Sequence, residues 1–451
     1  IKAFIFESLR PTPELSFAVR YLKCAGGIMI TASHNPKEHN GYKVYDDTGC
    51  QLLPEAADQV VQYVNEVEDE LNIKVFSDEE AYPYMTWIGE EVDEAYYKEV
   101  MAIEVNPGMD KSDFKIVFSP QHGTSNIAVR TCLTRLGYDL VPVLAQCAPD
   151  PDFSNTKSPN PEVPASYELA IKKAKEVDAD VVVITDPDGD RLGVVAKHNG
   201  EYVLMSGNQS AAVYLEYILS QMKEKGTLPD NAVMYNTIVT SDLGELVARS
   251  YGVDVEKTLT GFKFIGDKIR KYEQTHEKTF VFGYEESYGC VIKDFVRDKD
   301  AVQAVLTAAE AGNFYKKQGK DLVDVLNELY AKHGTFKETQ IALSKAGAAG
   351  AARIKEIMDN LRKDAPQEIG GVKVVKVEDY GNSTCSDGTT IQLPKSNVLK
   401  YYLEDGSWIA ARPSGTEPKC KFYFSIKGSD ADDAASKTEV FHKAMMEIIG
   451  E

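Results

Sequence analysis

The sequence predicts an α/β protein: three tandem related α/β domains with mixed sheets, followed by a smaller C-terminal α+β domain. Three observations predict it. Strand-like and helix-like stretches alternate over the first three quarters of the chain, the pattern of mostly parallel strands joined by helices. A strand-turn-helix unit recurs, and its helices end near Arg20, Arg135 and Arg249, which stand 115 and 114 residues apart, as tandem repeats would. The last quarter changes to period-two stretches, which mark an antiparallel sheet with one covered face. With 451 residues the chain exceeds one ordinary domain. The boundaries are expected at 1–107, 108–206, 207–333 and 334–451.

The elements follow in order. Thr12-Pro13-Glu14 reads as a helix start, with a capping hydroxyl, proline in the first turn and an acid near the positive dipole end. The helix Leu15 to Lys23 ends at Gly26-Gly27, and Ile28 to Ile30 reads as a short buried strand. In the second unit, strand Phe114 to Phe118 leads through the turn 119–125 into a helix ending near Arg135. In the third, strand Ala232 to Tyr235 leads through Thr237 to Asp242 into a helix ending near Arg249. The C-terminal stretches are a helix around Gly347 to Ala352, strands Val372 to Val377, Asn397 to Leu403, Trp408 to Arg412 and Cys420 to Ile426, and a helix Asp430 to Ile449.

Composition narrows the function. Fifty Lys and Arg against 70 Asp and Glu give a net charge of −20. A chain this acidic disfavours nucleic acid and anionic membrane as partners. A small anionic substrate stays open, because a local cluster of Arg, Lys and amides can oppose the global sign. The longest apolar runs are as short as Val181 to Ile184, too short to span a bilayer, and no signal peptide is visible. The seven cysteines, at 24, 50, 132, 147, 290, 385 and 420, form no Cys-x-x-Cys pair. Their odd number and wide spacing argue against a disulfide framework or a thiolate zinc site and for a reducing cytoplasm. His34 and His39 have no cysteine with them, which argues against zinc there too.

Four loops carry candidate chemistry. Thr31-Ala32-Ser33-His34-Asn35-Pro36 follows a strand, where open α/β sheets place their active sites. Its serine could act as nucleophile or phosphoryl carrier; the plainer reading is a turn capped by Ser33 and Asn35. Asp186-Pro187-Asp188-Gly189-Asp190-Arg191 follows the strand Val181 to Thr185. Its alternate carboxylates repel unless a cation joins them, and hard oxygens suit Mg²⁺ or Ca²⁺. An EF-hand fails, since Arg191 and Lys197 stand where glycine and glutamate are needed. An aspartyl-phosphate phosphatase, with Asp186 as nucleophile and Asp188 as acid, is the other enzyme reading. Gly283-Tyr284-Glu285-Glu286-Ser287-Tyr288-Gly289 offers a carboxylate and a hydroxyl two residues apart, suited to vicinal sugar hydroxyls but also to an ordinary acidic turn. Arg412-Pro413-Ser414-Gly415-Thr416-Glu417-Pro418 offers a guanidinium, hydroxyls and a glycine amide, either a phosphate cradle or a hairpin loop.

Taken together and in this order, the four loops resemble the α-D-phosphohexomutase superfamily of phosphoglucomutases and phosphomannomutases. Ser-Leu-Arg-Pro-Thr-Pro at 8–13 and Asn-Gly-Tyr-Lys-Val-Tyr at 40–45 are most similar to the branch of bacterial phosphoglucomutases and phosphopentomutase-like enzymes. The resemblance implies three related α/β domains plus a smaller one, which agrees with the repeat. It implies an intramolecular phosphotransferase that moves a phosphoryl group between positions 1 and 6 of a hexose, through phosphoserine and a sugar bisphosphate. Glucose is the first expected sugar and mannose the next. A phosphopentomutase and a catalytically impaired scaffold are the alternatives.

By the same resemblance Ser33 carries the phosphoryl group. Asp186, Asp188 and Asp190 bind Mg²⁺, with a phosphoryl oxygen on Ser33 as a further ligand. Lys43 accepts the hydroxyl proton, its neutral form favoured by neighbouring cations. Arg191 neutralises charge, and His34 and His122 orient the phosphoserine. Gly261 and Lys263 contribute to substrate binding, and Glu285 and Ser287 read the sugar. Arg412, Ser414, Gly415 and Thr416 hold the phosphate that is not reacting. Glucose 1,6-bisphosphate is the expected activator, a small phosphosugar the expected substrate, and a monomer or homodimer the expected form. The resemblance also implies a further segment before Ile1. Without that segment, reduced activity and a less stable first domain are expected.

Overall fold

Val181–Thr185 is the central strand of a five-stranded sheet with the order Asp139–Pro142, Lys115–Ser119, Val181–Thr185, Leu192–His198, Glu201–Met205. The first three strands are parallel and the last two pair antiparallel. Every residue of Val181–Thr185 is buried, as expected for a strand covered on both faces. Helix Glu168–Val177 packs on it, and Val117, Val182, Ile184 and Val195 meet Ala170 and Ala174 in one core. The sheet therefore delivers Asp186 at a carboxyl strand end that packing holds in place.

The computed structural model describes residues 1–415 and 418–451. They form two compact units. The first comprises Ile1–Asn236, Ala248–Glu256 and Gly261–Val325, and the second Thr237–Val247, Lys257–Thr260 and Leu326–Glu451.

A second sheet has the order Asp254–Thr258, Ala232–Thr237, Thr279–Tyr284, Cys290–Val291. The repeat is visible in both sheets: strand Lys115–Ser119 with helix Asn126–Arg135, and strand Ala232–Thr237 with helix Asp242–Ser250, each have the next strand beside the first. The first repeat departs from this. Ala3–Phe6 pairs in parallel with Met85–Ile88, and Gly26–Ile30 pairs antiparallel with Tyr42–Asp46. The buried strand expected at Ile28 to Ile30 is corrected here: Ile28 is 54% and Ile30 59% exposed. Side chains alternate across a strand. Gly27 faces helix Thr12–Tyr21, where a Cβ would come 2.6 Å from Val19 Cγ2. Ile28 and Ile30 therefore point to the other side.

The last 117 residues hold a seven-stranded antiparallel sheet in the order Thr335–Ser344, Lys419–Gly428, Trp408–Pro413, Leu399–Leu403, Val372–Asp379, Glu368–Ile369, with Thr384–Cys385 beside Val372–Asp379. Helices Gly347–Lys363 and Ala431–Ile449 cover one face, and Ile357, Leu361, Phe441 and Met445 join Ile409, Phe422 and Phe424 in the core. Thr335–Ser344 was not expected as a strand, yet it pairs along all ten residues with Lys419–Gly428. Asp430 caps the last helix by accepting from Asp433 N at 2.9 Å. Among the described residues all seven cysteines are free, and no helix is long and apolar enough to cross a membrane.

Candidate active site

Ser33 stands in a turn that its own strand end builds. Its amide donates to Thr31 Oγ1 at 2.8 Å, and Asn35 N donates to Ala32 O at 3.0 Å. Ser33 has φ 52°, in the left-handed region that non-glycine residues seldom occupy. Such conformations persist where the surroundings enforce them, and they cluster at functional sites. The result is a serine hydroxyl aimed at the neighbouring sheet: Ser33 Oγ donates to Asp186 Oδ2 at 2.9 Å and lies 3.0 Å from His34 Nδ1.

The acidic loop closes on itself. Asp186 Oδ1 accepts from Asp190 N at 3.0 Å and Arg191 N at 2.9 Å, and Gly189 turns the chain at φ 71°. These bonds bring one oxygen each of Asp186, Asp188 and Asp190 within 4.8 Å of one another, all three residues buried. Gly123 lets the turn 119–125 press on this loop: Thr124 N donates to Pro187 O at 2.8 Å, and a Cβ on Gly123 would lie 2.5 Å from Pro187 Cα. His122 sits in the same turn at φ 63°. Its Nδ1 lies 2.8 Å from Ala148 O, and its Nε2 is buried with no hydrogen-bond partner among the described residues.

The charges are arranged to match. Asp188 Oδ2 accepts from Lys43 Nζ at 2.8 Å and Thr12 Oγ1 at 3.1 Å. Asp190 Oδ2 lies 3.2 Å from Lys43 Nζ and 3.1 Å from Lys299 Nζ. Burial, with Asp190 and Asp188 nearby, raises the Asp186 pKa well above the carboxylate range. Burial also pushes on Asp190, but Lys299, Lys43 and Arg191 outweigh it and hold that carboxyl far below its usual value. Burial and the Arg191 charge lower the His34 pKa to about 4, so His34 is neutral at pH 7. Arg191 Nη1 donates to Glu162 Oε1 at 2.8 Å.

These residues fit a hard divalent cation. The donors are carboxylate oxygens, and among the described residues Asp188 Oδ1 and Asp190 Oδ1 are buried with no hydrogen-bond partner. Buried polar atoms ordinarily have one, and a metal ion would supply it.

The expectation for Lys43 rested on Mg²⁺ and other cations beside it. Its nearest charged neighbours among the protein's own residues are Asp188 and Asp190. Burial lowers its pKa, but Asp190 and Asp188 raise it more, and without a cation the net lies well above the ordinary lysine value.

The remaining expected residues fall in two places. Gly261 and Glu285 meet: Gly261 N, at the start of helix Phe262–Thr275, donates to Glu285 Oε1 at 2.7 Å. Lys263 lies in the first turn of that helix, and Ser287 is half-buried in the loop of Glu285. Arg412 and Ser414 belong to the second unit, at the end of strand Trp408–Pro413, where Ser414 N donates to Lys419 O at 2.7 Å and a Cβ on Gly415 would meet nothing within 4 Å among the described residues. Thr416 lies outside the described residues.

Three residues at the site were not anticipated from the sequence. Lys299 and its neighbour Asp298 come from the segment before helix Ala301–Lys316, which Asp300 caps. The signal for them is the alternation Arg297-Asp298-Lys299-Asp300, too charged for a strand yet leading into an apolar helix. Thr12 was expected to cap its own helix; its hydroxyl goes to Asp188 instead, and the helix has no side-chain cap.

Comparison with known proteins places this architecture. Four domain families match along the chain: "Phosphoglucomutase/phosphomannomutase, alpha/beta/alpha domain I" over residues 1–71, domain II over 94–200, domain III over 206–333, and the C-terminal domain over 351–443. A phosphoglucomutase of Staphylococcus epidermidis is 39% identical over 445 residues, covering 97% of this chain and 80% of that protein. The chain belongs to the phosphoglucomutase/phosphomannomutase family. It is an enzyme of the α-D-phosphohexomutase superfamily, an isomerase that acts on small phosphosugars. Among solved structures, the phosphoglucomutase parafusin of Paramecium shares the fold at a TM-score of 0.72 and 20% identity, covering 100% of this chain and 84% of that one. The Aspergillus fumigatus N-acetylphosphoglucosamine mutase, solved with GlcNAc-6P and magnesium, matches at a TM-score of 0.57 and 14% identity, covering 97% and 92%.

Proposed function

We propose that this family member interconverts glucose 1-phosphate and glucose 6-phosphate, with Ser33 as phosphoryl carrier and glucose 1,6-bisphosphate as intermediate and activator. The observation that carries the reading is the Ser33 hydroxyl, held at positive φ and 2.9 Å from Asp186 Oδ2 beside two further buried carboxylates. The 39% identity to a phosphoglucomutase supports glucose as the sugar. Each of the segments 1–107, 108–206, 207–333 and 334–451 then contributes one loop.

The reaction has two transfers. The bond from Ser33 Oγ to phosphorus breaks as a bond forms from the free sugar hydroxyl to phosphorus, and the proton of that hydroxyl ends on Ser33 Oγ; the return transfer moves a proton from Ser33 Oγ back to the sugar oxygen. The bisphosphate turns over, and its other phosphoryl group returns to Ser33. A Mg²⁺ ion held by Asp186, Asp188 and Asp190 would draw negative charge from the transferring group. The protein supplies the rest. Ser33 is oriented by Asp186 and by neutral His34, whose Nδ1 lies 3.0 Å away. Arg191, Lys43 and Lys299 provide positive charge where negative charge spreads. Lys43 becomes a proton acceptor only when Asp188 and Asp190 no longer require its charge. Glu285 and Ser287, with Gly261 and Lys263, read the sugar, and His122 helps to place the phosphoserine. Arg412, Ser414, Gly415 and Thr416 hold the distal phosphate.

The test is an assay of glucose, mannose and pentose 1-phosphates with Mg²⁺ and a trace of the matching bisphosphate. Glucose 1-phosphate should turn over fastest. Failure to form glucose 6-phosphate would overturn the reading.

A further inference from the structure

A closed ring of alternating partners joins the acidic loop to two other parts of the first unit. Lys43 Nζ and Lys299 Nζ both approach Asp190 Oδ2, at 3.2 and 3.1 Å. Lys299 Nζ also lies 3.2 Å from Asp298 Oδ1, which accepts from the Lys299 amide at 2.8 Å as well. The other oxygen of that carboxylate, Asp298 Oδ2, accepts from Tyr45 OH at 2.7 Å. Tyr45 closes the ring, because it stands two residues after Lys43 on strand Tyr42–Asp46, so both side chains leave the same face. Tyr45 and Asp298 are each only 1% exposed.

We propose that Tyr45 is a positioning residue for phosphoryl transfer, acting through Asp298 on Lys299. This rests on the function proposed above.

The argument is one of constraint. A buried carboxylate needs donors on both oxygens. With Tyr45 OH on Oδ2, the Asp298 carboxylate has one orientation, and Oδ1 holds the Lys299 ammonium beside Asp190. The lysine stem is confined as well: a Cβ on Gly289 would collide with it, and its ammonium lies 5.5 Å from the Phe262 ring centroid. Removing the tyrosine hydroxyl leaves Oδ2 without a donor. The carboxylate then rotates toward the nearest cation, Lys299, and draws it off Asp190. Groups that neutralise charge in a transfer act only when placed to within fractions of an ångström. The loss therefore falls on the chemical step and not on substrate binding.

Tyr45→Phe should lower kcat about tenfold with KM within about twofold of wild type. Asp298→Asn should lower it at least as much, and the double variant should lose no more than Asp298→Asn alone. Tyr96→Phe is the control. It removes another buried tyrosine–aspartate bond, from Tyr96 OH to Asp300 at 2.9 Å, outside the ring, and should leave kcat unchanged at a similar loss of thermal stability. Amide exchange over residues 293–300 gives a readout without turnover, and Tyr45→Phe should accelerate exchange at Lys299 N. A wild-type chain without mutase turnover would refute the proposed function while leaving that exchange result to be read. Additive losses in the double variant, a change confined to KM, an equal kcat loss in Tyr96→Phe, or unchanged exchange at Lys299 would each overturn the positioning role.

Discussion

Ser33 Oγ donates to Asp186 Oδ2 at 2.9 Å, across 153 residues of chain. Two strand ends from different sheets thus meet at one hydroxyl and one carboxylate. Neither loop makes a site by itself. The pairing places the Ser33 hydroxyl at the edge of a three-carboxylate cluster, and the role proposed for the serine rests on this geometry.

Ser33→Ala should lower turnover by about 10³-fold or more, because the phosphoryl carrier is gone. Stability should change by about 1 kcal/mol or less, the scale of one part-exposed hydrogen-bonding hydroxyl. Steady-state kinetics with thermal denaturation checks both, and near-normal turnover would remove Ser33 from the role.

Asp188→Asn keeps the shape and removes one negative charge. Calorimetric titration should show Mg²⁺ affinity at least about tenfold weaker, since affinity at such sites follows the charge of the ligands. Unchanged affinity together with unchanged rate would place the metal elsewhere.

Gly123→Ala pushes a Cβ against the Pro187 backbone, 2.5 Å from Cα and from O. Overpacking of this kind costs about 1–3 kcal/mol. The strain falls on the acidic loop, so turnover should drop along with the denaturation midpoint. A variant as stable and as active as wild type would show that the turn does not brace the loop.

Glu338, on strand Thr335–Ser344, has its pKa raised to about 7 by burial, although a bond from Ser241 lowers it. Among the described residues its buried Oε1 has no hydrogen-bond partner. The folded value exceeds the unfolded one, so the protonated form stabilises the fold. That contribution is complete below about pH 4, the unfolded glutamate range, and is lost as pH rises through about 7. Glu338→Gln lacks the term. It should match wild type at low pH and gain on it by about 1–3 kcal/mol between pH 5 and 8, read from denaturant midpoints across pH. A gap that closes as pH rises would contradict the assignment.

Much of this was legible in the chain. The run Val181 to Thr185 announces a buried strand, and the alternate acids after it announce a carboxylate cluster at the strand's end. The Ser33 loop was legible as a turn, and only its order among the other loops made it chemical. Lys299 was not legible: it reaches Asp190 from 109 residues away, and the contact exists because Ala301 N donates to Gly189 O at 3.1 Å and holds the two segments together. Thr12 was misread for a related reason. A local cap and a distant carboxylate compete for the same hydroxyl, and local pattern shows only the first. Strand Thr335–Ser344 was missed because its outward residues are polar and its partner, Lys419–Gly428, lies far along the chain. The state of Lys43 depended on which charges the fold placed nearest, Asp188 and Asp190.

The central claim is that Ser33 carries the phosphoryl group. The most direct measurement is peptide mass spectrometry of the chain after incubation with glucose 1,6-bisphosphate and Mg²⁺, followed by glucose 1-phosphate. One phosphoryl group should appear on Ser33 and leave when the monophosphate is added, with glucose 1,6-bisphosphate released in equal amount. Turnover of glucose 1-phosphate with Ser33 never phosphorylated would contradict the account.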